Sequence, residues 1–271
     1  MIIIGELINA TRKSIAQAIE KKDREYIKKI AQRQIANGAD YVDLNAGTGK
    51  GQETEISDME WLVDIVNELG DVPVCMDSSD PSVIKSCLGR IKSSDRMINS
   101  INGENSRIEK LLPVIKENNT CKVVGLTMDD AGIPNNVEKR VEITSKIASL
   151  LEGVGVKRED IFIDALVQPI SVDMKNGNIF MESIIAIKTK FPGIKTTCGL
   201  SNVSFGLPNR KLLNKYFIAL SISAGLDSAI TDPNDEGIRE AVCLAETLTG
   251  KDEYCMDYIK MCRECANKTS V

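Results

Sequence analysis

The chain has 271 residues, a length that fits either two average domains or one α/β barrel, which routinely takes about 200 to 250 residues. Hydrophobic residues make up 42% and charged residues 27%, an ordinary balance that excludes a disordered or collagen-like chain. The formal net charge is -5 and no basic run is dense enough to neutralise a row of phosphates, so we expect no nucleic-acid partner.

Eight short β-rich segments recur along the chain, each followed by a stretch with helical periodicity. Most of them begin as continuous apolar runs, which is typical of parallel strands covered on both faces. Eight strands alternating with helices over this length predict a (β/α)8 TIM barrel, with a doubly wound open sheet as the alternative. The predicted strands are 1–9, 41–47, 73–79, 96–102, 122–128, 161–166, 196–202 and 227–232.

The segments between the strands carry signals for helix starts. Asp80 followed by Pro81 is typical of an N-cap with proline in the first helical position. Ser106 and Glu109 have the spacing of a capping box. We therefore predict helices that begin just after Asp80 and just after Ser106.

No linker or low-complexity block interrupts the series, so we predict a single domain over residues 1–271, with a helical tail from about residue 251. The first residues form too short an apolar run for a signal peptide, and nowhere do 18 apolar residues follow one another. The sequence thus predicts a cytoplasmic protein that does not enter a membrane.

The chain contains no histidine. This excludes Ser-His-Asp and Cys-His nucleophiles and every site that needs a histidine ligand to zinc, haem or cobalt. Any proton chemistry must then use carboxylates, Lys, Tyr, Cys or bound water.

Polar residues cluster where the predicted strands end. In a barrel of this kind the chemistry lies at that end of the strands, so these side chains should converge on one mouth. Each could alternatively cap the helix that follows, which is a common use of Asp and Asn. A mouth of carboxylates and amides that nearly lacks Lys and Arg suits a neutral heterocycle with several N–H donors. The residues are Glu6, Asn9, Asp43, Asn45, Asp77, Asn99, Asn102, Asp164, Asn202 and Asp232.

One cysteine pair has the spacing of a metal or redox motif. Cys262 and Cys265 stand three residues apart, but there is no second pair and no histidine to complete four zinc ligands. Cys255, Ile259 and Cys262 share one helical face, which favours a packing role for this stripe. We expect no metal site.

The strand-end motifs together resemble the pterin-binding methyltransferase family, and most closely the methyltetrahydrofolate:corrinoid protein methyltransferases. The similarity runs through nearly the whole chain in the right order. It implies a homodimeric (β/α)8 barrel that holds the pterin of tetrahydrofolate or 5-methyltetrahydrofolate in its mouth and uses no metal of its own. The motifs are GELIN (5–9), DLNAG (43–47), MDSS (76–79), MINSIN (97–102), GLTM (125–128), IDAL (163–166), GLSNVSFGLPNR (199–210) and GLDSAITDP (225–233).

The resemblance also implies roles for individual residues. Asp77, Asn99 and Asp164 should hydrogen-bond the amino-pyrimidinone edge of the pterin, and Asn202 should reach N5, which carries the methyl group. Asn202 and Asp77 are the predicted catalytic residues. The predicted pterin-binding set is completed by Glu6, Asn9, Asp43, Gly199 and Ser201.

The corrinoid must be carried by a separate protein, because corrinoid domains that supply a histidine to cobalt have a motif that this chain cannot provide. The sequence does not give the direction of methyl transfer.

Two alternatives stay open. Dihydropteroate synthase shares the fold, but that family has Arg-Lys where this chain has Asn202 and Val203, and it has a histidine in its closing motif. A non-catalytic pterin carrier is the other.

Overall fold

The computed structural model describes the backbone of residues 1–269 and the side chains of residues 1–264. Within this part of the chain, eight parallel strands alternate with helices. The strands are β1 Ile2–Asn9, β2 Tyr41–Asn45, β3 Val74–Asp77, β4 Arg96–Asn102, β5 Lys122–Leu126, β6 Ile161–Asp164, β7 Lys195–Thr197 and β8 Ser228–Thr231. The helices are α1 Lys13–Glu20, α2 Arg24–Ala36, α3 Gln52–Asn67, α4 Pro81–Cys87, α5 Asn105–Glu117, α6 Val137–Gly153, α7 Asn176–Lys190, α8 Arg210–Ser223, α9 Glu236–Leu248 and α10 Met256–Thr269.

The sheet closes into a barrel. Its strand order is β7-β6-β5-β4-β3-β2-β1-β8, so β1 to β7 pair in sequence order, β8 pairs with β1, and the remaining seam lies between β7 and β8. At the remaining seam, the backbone N–H groups of Asp227 and Ile230 donate to the carbonyl groups of Thr196 and Cys198, at 3.3 and 2.8 Å. The Asp227 carboxylate also accepts from Thr196 N at 2.7 Å. The predicted (β/α)8 barrel is confirmed, and the doubly wound open sheet is excluded.

The barrel interior is apolar toward the N-terminal ends of the strands and polar at the mouth, where the strands end. Ile4, Tyr41, Cys75, Met97, Val124 and Phe162 pack together inside the barrel. Side chains two residues apart on a strand point to the same face. The next inward positions are therefore polar on five of these six strands: Glu6, Asp43, Asp77, Asn99 and Asp164. A second, larger core fills the space between the strands and the surrounding helices.

The strand predictions locate every strand, but several of them are too long. The clearest error is at 196–202, where β7 ends at Thr197 and residues Leu200–Ser204 form a short 3-10 helix. Asn202 thus lies on this 3-10 helix and not at a strand end. Gly199 still forms an isolated parallel bridge with Ile230 of β8, and the chain leaves the sheet after it.

One helix start is confirmed and the other is wrong. Asp80 Oδ1 accepts from Ser82 N at 2.8 Å, and Pro81 is the first residue of α4. In α5, by contrast, the helix begins at Asn105 and its N-cap residue, Glu104, makes no side-chain cap. Ser106 lies inside the helix, so the predicted capping box does not form.

The C-terminal segment is helical, as α10 follows a short 3-10 turn and packs against α9. The packing predicted for its cysteine stripe is wrong, because Cys255 and Cys262 are exposed and Ile259 is 37% exposed. The side chain of Cys265 lies outside the described residues. No helix within residues 1–269 has the length and hydropathy to cross a bilayer.

Candidate active site

The C-terminal ends of the strands surround a cavity of about 400 Å3. This is within the range of small-molecule sites, which runs from about 300 to 1,000 Å3. Several of the predicted pterin-binding residues line it together, namely Glu6, Asn9, Asp43, Asp77, Asn99 and Ser201. Its other lining residues are Thr11, Arg12, Arg210 and Ile230.

Two acidic residues on neighbouring strands, Asp43 and Asp77, lie deep in this cavity. Burial raises the pKa of Asp43 well above its usual range, and the charge of Asp77 raises it further. Burial also raises the pKa of Asp77, against the opposing effect of the hydrogen bond that Asn45 Nδ2 donates at 2.9 Å. Oδ1 of Asp43 has no hydrogen-bond partner within the described part of the chain. The pair can therefore retain a proton where ordinary carboxyl groups have lost theirs.

Glu6 and Asn9 lie at the same mouth, on β1. Glu6 Oε1 accepts from Arg12 Nη2 at 2.8 Å. Burial nevertheless raises the pKa of Glu6, and the charge of Arg12 offsets this only in part. Asn9 Oδ1 accepts from the backbone N and the hydroxyl of Thr11, at 3.0 and 2.7 Å. These contacts fix the turn that leaves β1.

Asp164 ends β6 and belongs to the same inward polar layer, although it is not among the residues that line the cavity in the described structure. It is 6% exposed, and Oδ1 accepts from Leu166 N at 2.7 Å. Burial raises the pKa of Asp164 to about 6, while the Leu166 N–H and the charge of Arg140 act in the opposite direction. Its neighbour Ala165 is held by the buried Arg140, whose Nη1 donates to the Ala165 carbonyl at 2.6 Å.

Asn202 and Gly199 stand beside the cavity and do not form part of its lining as described. Asn202 is exposed, and its backbone N–H donates to the Gly199 carbonyl at 3.3 Å. A side chain at position 199 would place its Cβ 3.1 Å from Asn202 Nδ2. Glycine at 199 thus leaves room for the Asn202 amide beside this segment, and a Cβ there would require only a small shift of that exposed side chain.

A family model described as pterin-binding enzyme matches residues 5–232 of the chain. The chain belongs to the pterin-binding enzyme family. The family expected from the strand-end motifs is thereby confirmed.

Two curated relatives resemble this pterin-binding enzyme over most of its length. It is 38% identical over 265 residues to the methylcorrinoid:tetrahydrofolate methyltransferase of Eubacterium limosum, a match that covers 97% of each chain. It is also 32% identical over 243 residues to the methionine synthase of Mycobacterium tuberculosis. That match covers 85% of this chain and 20% of the much longer synthase.

Among solved structures, a dihydropteroate synthase from Coxiella burnetii in complex with pteroic acid superposes with a TM-score of 0.71. The match covers 92% of this chain and 93% of that one, at 13% sequence identity. At that identity the likeness shows the shared barrel fold alone.

Sequence reasoning missed two arginines in the site of this pterin-binding enzyme. Arg12 and Arg210 both line the cavity, so the expectation of a mouth nearly free of Lys and Arg is wrong. Arg12 forms an ion pair with Glu6, so the two charges offset each other. Arg210 donates to the Ser201 carbonyl at 2.6 Å and to Ser204 Oγ at 3.0 Å. The only available signal was that Arg210 closes the GLSNVSFGLPNR motif.

The side chains that could ligate a metal ion are not grouped together in the described part of the chain. Among the described residues, no group of three or more Cys, Asp or Glu side chains is arranged to hold a metal ion. The buried cysteines Cys75 and Cys198 lie inside the fold, where burial raises the pKa of each thiol well above its usual range. Such thiols stay protonated and behave as small apolar groups.

Proposed function

We propose that this protein transfers a methyl group between the cobalt of a corrinoid carried by a separate protein and N5 of tetrahydrofolate. The observation that carries the proposal is the 38% identity to a methylcorrinoid:tetrahydrofolate methyltransferase over 97% of both chains. The name of that relative supports methyl transfer from the corrinoid to tetrahydrofolate as the physiological direction. The reverse reaction, from 5-methyltetrahydrofolate, uses the same site.

The pterin lies in the cavity at the barrel mouth. Its amino-pyrimidinone edge presents N–H donors, which match carboxylate and amide oxygens. Asp77 and Asn99 line the cavity. Asp164 belongs to the same inward layer on β6, which is separated from the strand of Asn99 by β5. These three side chains bind that edge, and the free Oδ1 of Asp43 is a further acceptor.

Catalysis depends on the charge at N5. In the forward direction N5 attacks the methyl group of methylcobalt, the carbon–cobalt bond breaks, the electron pair stays on cobalt(I), and the N5 proton passes to bound water or the acidic pair. In the reverse direction the amine is a poor leaving group unless N5 gains positive charge. Asn202 contacts N5 through its amide, which can donate or accept as the protonation of N5 changes. One preorganised contact of this kind contributes about 2 to 4 kcal/mol, or roughly 10² to 10³ in rate.

In the reverse direction the proton for N5 comes from the buried acidic pair and bound water, and in the forward direction the same groups accept the proton that N5 loses. Asp43 and Asp77 both have raised pKa values, since burial disfavours their charged forms. Carboxyl groups with raised pKa values are suited to proton transfer near neutral pH. Asp77 therefore has two roles, in pterin binding and in holding this proton with Asp43.

The corrinoid protein docks over the mouth. The chain has no histidine to ligate cobalt, and its cavity of about 400 Å3 holds a pterin without room for a corrin ring. The partner must therefore bring cobalt to the methyl group from outside.

We also propose that the protein is a homodimer in the cytoplasm. Leu212, Tyr216 and Leu220 recur at four-residue spacing on α8 and are 49%, 64% and 56% exposed. They line an apolar groove between α7 and α8 of about 520 Å3. Exposed apolar faces of this kind mark interaction surfaces. Within the described residues, every cysteine is free, which suits a reducing compartment.

The test measures transfer with free cobalamin. Methylcobalamin with tetrahydrofolate, and cob(I)alamin with 5-methyltetrahydrofolate, should each react in the presence of the protein, as followed by the absorbance of the two cobalamin forms. Tetrahydrofolate binding without transfer in either direction would favour the non-catalytic pterin carrier. Formation of dihydropteroate from a pterin pyrophosphate and 4-aminobenzoate would favour the dihydropteroate synthase alternative.

A further inference from the structure

The segment that carries Asn202 has little regular structure of its own. It is a 3-10 helix of five residues, Leu200–Ser204, between the three-residue strand β7 and the start of α8. Short 3-10 helices have weaker hydrogen bonds than α-helices. Leu200, Val203 and Ser204 are buried and anchor the segment, whereas Asn202 itself is exposed. Hydrogen-bonding support from outside the segment would fix the backbone between these buried residues.

Arg210 supplies that support from the first turn of α8. Its Nη2 donates to the Ser201 carbonyl at 2.6 Å, and its Nε donates to Ser204 Oγ at 3.0 Å. Ser204 Oγ in turn donates to the Ser201 carbonyl at 3.2 Å. One guanidinium thus bridges the residues on both sides of Asn202, one before it and two after it.

The guanidinium is itself held in place. Its carbon lies 5.9 Å from the centre of the Phe205 ring, within the distance of a cation–π contact. No ion pair among the described residues includes Arg210, so its donors go to the segment and not to a carboxylate. A fork of fixed donors suits this double contact, which the single ammonium of lysine could not reproduce.

We infer that Arg210 is a positioning residue, which fixes the Asn202 amide against N5 of the bound pterin by holding Ser201 and Ser204. The inference rests on the proposed methyl transfer. Arg210 acts through Asn202, so its loss should cost nothing further once Asn202 is gone. Arg210 also lines the cavity, so its loss should weaken pterin binding as well, and the rate at saturating pterin isolates its effect on Asn202.

The experiment is a double-mutant cycle with Arg210→Ala and Asn202→Ala. We expect Arg210→Ala to slow single-turnover transfer from 5-methyltetrahydrofolate to free cob(I)alamin by about 10- to 100-fold, since small misplacements of a catalytic group have effects of that order. The rate is measured at saturating pterin, because Arg210 lines the cavity and its loss should also raise the dissociation constant. In the Asn202→Ala background, Arg210→Ala should give no further loss.

Added guanidinium ion provides a second readout. It should restore part of the rate of Arg210→Ala, and none of the rate of the double variant. Ser204→Ala removes one of the two contacts and should give a smaller loss than Arg210→Ala. Arg90→Ala is the matched control, because Arg90 is also exposed and pairs with Asp64 on the far side of the barrel. It should transfer at the wild-type rate.

Several outcomes would overturn the inference. Losses that multiply in the double variant would mean that Arg210 acts independently of Asn202. A loss confined to pterin affinity, with the rate at saturating pterin unchanged, would mean that Arg210 only binds the substrate. An unchanged rate in a folded Arg210→Ala variant, or a rate that guanidinium does not restore, would also contradict it. Failure of the proposed function looks different, since the wild-type protein would then show no transfer at all.

Discussion

Asn202 is the residue on which the proposed chemistry depends most. If its amide acts on the changing charge at N5, Asn202→Ala should lower the rate of methyl transfer by roughly 10² or more, with a smaller loss of pterin affinity, since transition-state contacts appear in kcat. Single-turnover transfer to cob(I)alamin and titration with 5-methyltetrahydrofolate measure the two quantities. A variant that transfers at nearly the wild-type rate would remove Asn202 from the mechanism and leave the pterin site intact.

In the proposed binding mode Asp164 accepts from ring N–H donors and does not contact N5, so its substitution should have a different effect. Asp164→Asn replaces an acceptor-only carboxylate with an amide that presents its own N–H groups. Binding should weaken by about 1 to 3 kcal/mol, the cost of an unsatisfied buried polar group. Calorimetric titration with tetrahydrofolate gives the change directly. Wild-type affinity in this variant would mean that Asp164 does not contact the pterin.

Asp164 also makes stability depend on pH. Burial raises its pKa from the ordinary 3.8 to about 6 in the folded protein. A carboxyl group whose folded pKa is raised stabilises the protein at low pH, and this contribution is lost as the pH rises through about 6. Between pH 7.5 and pH 5 the wild type should therefore gain about 1 kcal/mol that Asp164→Asn does not gain. Urea unfolding at the two pH values tests this, and equal gains in both proteins would contradict it.

At the residue scale, the inward carboxylates could be predicted and the arginines could not. Asp43, Asp77 and Asp164 are poor strand formers that directly follow apolar runs, a placement that strand stability alone does not explain. Arg210 follows a proline and an asparagine in what looks like an exposed turn. Its role depends on the contacts that it makes with Ser201 and Ser204 in the folded chain, and the local sequence does not predict these contacts.

At the scale of elements, most strands could be located from sequence because buried parallel strands are continuous apolar runs. The largest error in predicted strand length is at β7. The run from 196 to 202 has the composition of a strand end, yet pairing with β6 stops at Thr197. Pairing is a property of two strands, so one sequence segment cannot show where it stops.

Helix α10 carries the cysteine motif, for which we expect no metal-binding role. Cys262→Ser combined with Cys265→Ser should leave activity and metal content unchanged, because a lone pair supplies two of the four ligands that zinc usually needs. Methyl transfer to cob(I)alamin and metal analysis by mass spectrometry are the measurements. Stoichiometric zinc in the wild type that the double variant loses would show that α10 contributes to a metal site.

For the whole molecule, the apolar face of α8 predicts the oligomeric state. We expect a dimer in light scattering at micromolar concentration, because Leu212, Tyr216 and Leu220 leave one side of the barrel unpartnered. Tyr216→Lys should shift the protein toward the monomer, since a charge would be buried in the contact. Leu248→Lys, at an exposed position at the end of α9, is the control and should stay dimeric. A wild type that scatters as a monomer would remove the dimer proposal.

The seam between β7 and β8 determines where this barrel can open. Backbone hydrogen bonds at Asp227 and Ile230 and side-chain bonds of Asp227 and Ser228 to Thr196 close it, whereas the other seven neighbouring pairs form β-ladders, two of them with a register shift. Regions with few backbone bonds undergo local unfolding at lower free energy than the whole domain. Brief separation along this line moves β7, and the segment directly after β7 carries Asn202. If the pterin binds as proposed, this local opening loosens the contact between Asn202 and N5 first, while Asp43, Asp77 and Asn99 on β2, β3 and β4 stay in place around the pterin.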